Sequence, residues 1–142
     1  MREGIIVDTG PLVALLNGRD RYHTWAREMF DAATPPLATC EAVISEACFL
    51  LRGIKGGSQA VFGLLERGVI DIAFRLVPNR ASIQALMNRY ADVPMSVADA
   101  CLVRMIEMDQ KAAVMTLDGD FRVYRRHGRQ VVPVLMPEDS AG

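Results

Sequence analysis

No apolar stretch in this 142-residue chain reaches the roughly 18 residues that a membrane-spanning helix requires, so no membrane partner is expected. Met1-Arg2-Glu3 leads directly into a strand-like run without the n-region and h-region of a secretory signal, which makes the cytoplasm the expected compartment. Cysteine is scarce and odd in number. Cys40, Cys48 and Cys101 form no C-x-x-C pair, so buried reduced thiols are expected rather than a disulfide framework. Zinc is disfavoured too, because only His23 and His127 could supplement them and neither has useful spacing. Lysine is nearly missing, with Lys55 and Lys111 the only two, and the net charge of −1 lacks the basicity of most nucleic-acid-binding domains. There is no G-x-S-x-G and no G-x-x-x-x-G-K-[ST]. The segment from Gly53 to Ser58 is the nearest imitation of a phosphate loop, and it follows no convincing strand.

What is present is a globular composition, 51% hydrophobic and 23% charged, of a length suited to one domain. The expected organisation is a single domain over residues 1–137 with a loose tail over 138–142. Ile5 to Asp8 reads as a buried strand, and Pro11 to about Asn17 as a short helix opened by proline. Tyr22 to Ala33 is a second helix, stopped by Pro35-Pro36, and Leu37-Ala38-Thr39 a short strand. Thr39 is the expected cap of a helix running to about Arg52, apolar nearly all round and therefore buried. Further helices are expected from Gly56 to Arg67, Pro78 to Tyr90, Ser96 to Asp109 and Phe121 to Arg126. Strands are expected at Val69 to Phe74, Ala113 to Leu117 and Val131 to Leu135. This alternation gives an α/β fold, a short, mostly parallel central sheet with helices on both faces, whose functional crevice lies at the strand carboxyl ends.

Four carboxylates stand where local structure changes. Asp8 ends the first strand, Asp118 follows Ala113-Val114-Met115-Thr116-Leu117, Asp99 opens a helix, and Glu46 is the only charge in Ala42 to Leu51. Each has an ordinary structural explanation. Asp8 can cap a helix, Asp118-Gly119 is a common turn pair, and Ser96-Val97-Ala98-Asp99 is also a capping box. Glu46 resists most, since a lone carboxylate in apolar surroundings costs several kcal/mol unless it pairs, with Arg52 or with a shared cation. If the fold gathers all four, a hard divalent cation is the usual balance for their repulsion.

The chain resembles the PIN-domain nucleases, particularly the VapC-like toxins of bacterial toxin–antitoxin pairs. The resemblance rests on Ile6-Val7-Asp8-Thr9-Gly10-Pro11-Leu12, Tyr22-His23 with Trp25, Thr39 with Glu46-Ala47, Pro94-Met95 with Ala98-Asp99-Ala100, and Thr116-Leu117-Asp118-Gly119-Asp120-Phe121. It implies that Asp8, Glu46, Asp99 and Asp118 bind Mg²⁺ or Mn²⁺ and are the catalytic set, with Asp120 a substitute or helper for Asp118. Thr9, Thr116 and Ser96 are implied as supporting residues; Ser96 stands where many relatives carry an acid. The implied activity is hydrolysis of RNA phosphodiesters by metal-activated water. The implied partners are an RNA substrate and a separate small antitoxin that fills a groove between helices; homodimerisation is also common in the family.

Arg122, Arg125, Arg126 and Arg129 crowd one short stretch and are the candidate phosphate contacts, with Tyr124 available for base stacking. Other readings fit less well. A haloacid-dehalogenase-type phosphatase needs an acid two residues after Asp8, where Gly10 stands, and a receiver domain needs neighbouring acids at the first strand and a late lysine elsewhere than Lys111. The alternative that remains is a non-catalytic RNA- or partner-binding module of the same fold.

Overall fold

The computed structural model describes residues 4–138. The Met1 to Glu3 segment and the tail beyond Glu138 lie outside the described residues. Five short strands form one parallel sheet: β1 (Ile5–Val7), β2 (Leu37–Thr39), β3 (Ile70–Ile72), β4 (Ala113–Met115) and β7 (Val134–Leu135), in the order β3-β2-β1-β4-β7. β1 and β4 are the central pair, in register Ile6 to Val114, and all six of their residues are buried. Uninterrupted Ile-Ile-Val and Ala-Val-Met runs suit that position, because a parallel strand covered on both faces has no solvent side to leave polar.

The helices follow from the strand order. Between β1 and β3 the chain steps outward through α1 (Thr9–Leu16), α2 (His23–Ala32), α3 (Glu41–Leu50) and α4 (Gly57–Glu66), which pack on one another. It then returns across the sheet through α5 (Arg80–Arg89) and α6 (Val97–Met108), with α6 lying against β1 and β4. Right-handed crossovers running in opposite directions put their helices on opposite faces. The order also reverses at β1, which has β2 on one side and β4 on the other, and such a switch point opens a crevice at the strand carboxyl ends.

Several expectations need correcting. Thr39 does not cap α3; it ends β2, and its buried hydroxyl donates to the Val7 carbonyl at 2.8 Å, leaving Cys40 at the cap position. Thr39 stands inside β2, one residue before the cap position, too early for its oxygen to accept from the first helical N–H groups. α3 is not buried all round either: Phe49 and Leu50 are 60% and 49% exposed. The segment Val77–Asn79 is a 3₁₀ turn before α5, and the strand expected over Val69 to Phe74 shortens to β3.

The largest difference lies near the C-terminus. The helix expected over Phe121 to Arg126 is a 3₁₀ turn, Gly119–Arg122, followed by a hairpin of β5 (Arg125–Arg126) and β6 (Gln130–Val131). His127 and Gly128 turn the hairpin with φ of +52° and +79°, a conformation a helix cannot contain. The strand expected over Val131 to Leu135 is divided accordingly, its first residue pairing in the hairpin and Val134–Leu135 joining β4. Pro133, which has no N–H, stands at the division.

Candidate active site

Asp8 leaves the end of β1, and its backbone N–H still donates to Met115 of β4. Its side chain caps α1, accepting from the Thr9 N–H at 2.7 Å through Oδ1, while Oδ2 accepts from the Thr116 hydroxyl at 2.7 Å. Thr116, fully buried after β4, in turn accepts from the Asp118 N–H at 2.9 Å. One hydroxyl therefore ties the loop after β1 to the loop after β4. Gly10 allows those loops to meet, since a Cβ there would stand 3.3 Å from the Leu117 side chain.

Asp118 accepts from the Asp120 N–H at 2.9 Å and so opens the 3₁₀ turn. Asp99 sits in the first turn of α6, where the helix dipole favours a negative charge, and its N–H donates to Ser96 Oγ at 3.0 Å. The structural readings of Asp8, Asp99 and Asp118 are thus realised, and they are what brings these carboxylates to one edge of the sheet. Capping and convergence are the same geometry.

Asp8, Asp99, Asp118, Asp120 and Glu46 all line one open cleft of about 580 Å³, together with Thr9 and Ser96. Among the described residues no Lys, Arg or His lines it. Burial of Asp8, only 7% exposed, pushes its carboxyl up to about 6 despite the bonds from Thr116 and Thr9, and the Asp99 and Asp118 charges add to the rise. Burial likewise holds Asp99 above the ordinary carboxylate range, opposed by a bond from Tyr124 and reinforced by Asp118. Among the described residues the cleft is a concentration of negative charge without a counter-charge.

Glu46 differs from its expected surroundings. It is exposed rather than enclosed by apolar side chains, and its Oε1 accepts a 3.2 Å bond from the Thr9 hydroxyl. Arg52 is not its partner; that guanidinium donates to the Phe49 carbonyl and stacks over the Phe49 ring. Among the described residues the one salt bridge is Arg104 to Glu107, away from the cleft lining.

The arginine stretch is not one solvated face. Arg125 Nη1 donates to the carbonyls of Arg122, Val123 and Tyr124, and Arg126 reaches Gln130 and the Gln110 carbonyl. Arg122 and Arg129 are exposed, and neither side chain makes a hydrogen bond to the described residues. Tyr124 is not available for base stacking. It is fully buried, and its hydroxyl donates to Asp99 Oδ2 at 2.7 Å. No local spacing marks this contact, because Tyr124 lies two residues beyond the 3₁₀ turn and meets Asp99 only through the tertiary fold.

The profile of the PIN domain matches residues 5–126, most of the chain and every acid of the cleft. The chain belongs to the PIN domain family. Solved structures of similar shape agree on the fold. VapC20 of Mycobacterium tuberculosis, a toxin that cleaves the sarcin–ricin loop, superimposes with a TM-score of 0.74 at 21% identity, over 84% of this chain and 93% of that one. A chain of VapBC2 from Rickettsia felis, solved bound to a promoter DNA fragment, gives a TM-score of 0.62 at 12% identity, over 96% and 100%. No curated protein sequence matches the chain significantly.

The donor set of this PIN domain fits a hard divalent cation. Every side-chain ligand group offered among the described lining residues is a carboxylate or hydroxyl oxygen, the donor chemistry of a hard divalent cation. Among the described residues no three His, Cys, Asp or Glu side chains form a ready-made coordination shell. Mg²⁺ does not require one, because it keeps several waters and is usually held by one or two carboxylates.

Proposed function

We propose that this PIN domain is a ribonuclease that requires Mg²⁺ or Mn²⁺ and acts as the toxin of a toxin–antitoxin pair. The observation that carries the reading is the convergence of Asp8, Asp99 and Asp118, from three separate elements, with Glu46 in one cleft that has no basic lining residue among those described. A divalent cation bound there supplies neutralisation of charge on the scissile phosphate and acidification of the attacking water. Asp8 and Asp99 are the primary holders, and their raised pKa values reflect the cost of a carboxylate that awaits a positive partner. Glu46, on the exposed wall, and Asp118 complete the site directly or through water, and Asp120 stands ready beside them. Thr9 and Thr116 hold the acids in position; Ser96 fixes the start of α6.

RNA as the substrate class is supported by the sarcin–ricin cleavage ascribed to the Mycobacterium tuberculosis relative. Within the C-terminal arginine stretch, Arg122 and Arg129 are the ones free to contact its phosphates. The antitoxin partner is supported by the VapBC2 neighbour and by an apolar groove between α3 and α4. Ile44, Phe62, Leu65 and Ile72 line that groove.

The deciding experiment is digestion of an RNA panel, the sarcin–ricin loop included, with Mg²⁺, with Mn²⁺ and with chelator, and with cut sites mapped. Cleavage at defined positions that chelator abolishes is expected. RNA binding without cleavage in either ion would replace the nuclease by the non-catalytic module.

A further inference from the structure

Tyr124 lies on the segment that runs from the Asp118 loop into the hairpin, and it meets Asp99 on α6. Its ring is fully buried and gripped edge-on by two others, Tyr90 at 5.1 Å and Phe121 at 5.2 Å between centroids. Such edge-to-face packing fixes the ring plane, and with it the direction of the hydroxyl. That hydroxyl donates at 2.7 Å to Asp99 Oδ2. A phenylalanine would fill the same space without having to desolvate a hydroxyl, so packing does not account for the oxygen. Its one hydrogen-bonding partner among the described residues is a carboxylate that lines the acidic cleft.

We propose that Tyr124 is a positioning residue that locks the Asp99 carboxylate in its cation-binding orientation. It rests on the reading of the cleft as a divalent-cation site. With Oδ2 held by a rigid donor, Asp99 cannot rotate freely about its side chain, and the first turn of α6 is tied to the segment that follows Asp118. Groups that orient a metal ligand in this way typically matter 10- to 100-fold in metal affinity, by about the same scale as they matter in activity.

The test is Mn²⁺ titration by calorimetry, with thermal unfolding of the cation-free protein recorded beside it, for the wild type, Tyr124→Phe, Asp99→Asn, the double variant and Tyr90→Phe. Tyr124→Phe keeps the aromatic packing and is expected to weaken Mn²⁺ by about 10-fold. In the Asp99→Asn background the same change is expected to cost nothing more. Tyr90→Phe removes a neighbouring hydroxyl that accepts from the Arg125 N–H and never touches Asp99, so its Mn²⁺ affinity should match the wild type. Wild-type affinity in Tyr124→Phe, alongside weakened binding in Asp99→Asn, would overturn the positioning role and leave the cation site standing. If Tyr124→Phe also lowers the unfolding midpoint, the double variant decides: an affinity loss that persists without the Asp99 carboxylate makes the role merely structural and overturns the proposal. No Mn²⁺ binding by the wild type, or unchanged binding in Asp99→Asn, would remove the cation site itself and the inference with it.

Discussion

The two walls of the acidic cleft are built differently. On the sheet side, Asp8, Asp99 and Asp118 each accept a bond of 2.7 to 2.9 Å from a fixed donor, namely Thr9 and Thr116, Tyr124, and the Asp120 backbone. On the α3 side, Glu46 is exposed and accepts one 3.2 Å bond. The tied wall has its ligand geometry set before any cation arrives, and burial raises the carboxyls of Asp8 and Asp99 there against the lowering effect of those bonds. The open wall carries a carboxylate that can adjust to whatever cation and substrate lie opposite. Preorganisation and adaptability are divided between two helices and a sheet edge.

If that division is right, the largest loss follows from removing charge on the tied wall. Asp8→Asn should remain folded, because its Oδ1 can still accept from the Thr9 N–H, yet RNA cleavage should fall beyond the about 100-fold that bounds orienting residues. Circular dichroism and gel-based cleavage check both halves; a folded, fully active Asp8→Asn protein would end the assignment.

The second prediction concerns pH. Asp8 sits at about 6 when folded against an ordinary 3.8, so the folded chain binds this proton more tightly than the unfolded chain does. The penalty is therefore absent below about pH 4, grows as pH rises through about 6, and is complete above it. A shift of this size corresponds to about 3 kcal/mol, an upper figure for one nearly buried group. Asp99, also raised, contributes with the same sign. Urea unfolding in chelator should show the wild type losing stability relative to Asp8→Asn between about pH 4 and pH 7, and added Mg²⁺ should restore it. Parallel curves for the two proteins would mean that Asp8 carries no such cost.

A smaller effect is expected from the open wall. Glu46→Gln should lower cleavage about 10-fold and recover much of it at higher Mn²⁺, since a mobile ligand is more readily replaced by water. A loss as deep as that of Asp8→Asn would erase the distinction between the walls.

Most of the sheet and three of the four acids were legible because they rest on local rules. Buried parallel strands read as unbroken apolar runs, and Asp8, Asp99 and Asp118 occupy cap and turn positions that sequence marks directly. Glu46 was placed correctly on its helix but wrongly in its surroundings. Apolar residues all round α3 read as burial, whereas Phe49 and Leu50 are exposed. Periodicity reports which residues are apolar, not whether anything covers them. The region after Asp118 was misread for a different reason: its hairpin depends on long-range pairing and on a single residue pair, His127-Gly128, at positive φ. Tyr124 was lost with it, because a residue on a supposed solvated helix looks available when it is in fact buried against Asp99.

The arginines repeat the contrast between tied and free groups on a smaller scale, and they give the least dramatic prediction. Arg125 spends its guanidinium on three carbonyls of its own segment and Arg126 on Gln130 and Gln110, so both shape the hairpin. Arg122 and Arg129 are exposed and engaged with no other described side chain or carbonyl. Each phosphate contact on single-stranded nucleic acid contributes about 0.7 to the slope of log affinity against log salt. Replacing Arg122 and Arg129 together by alanine should therefore flatten the slope of RNA binding by about 1.4 and leave the unfolding midpoint unchanged. Arg125→Ala should do the reverse, lowering the midpoint because it strips the carbonyls of the turn of their donor while the slope changes little. Fluorescence-anisotropy titrations across a range of salt concentrations separate the two cases. A flattened slope in Arg125→Ala with none in the double variant would assign phosphate contact to the tied arginine and invert the comparison at this edge of the molecule.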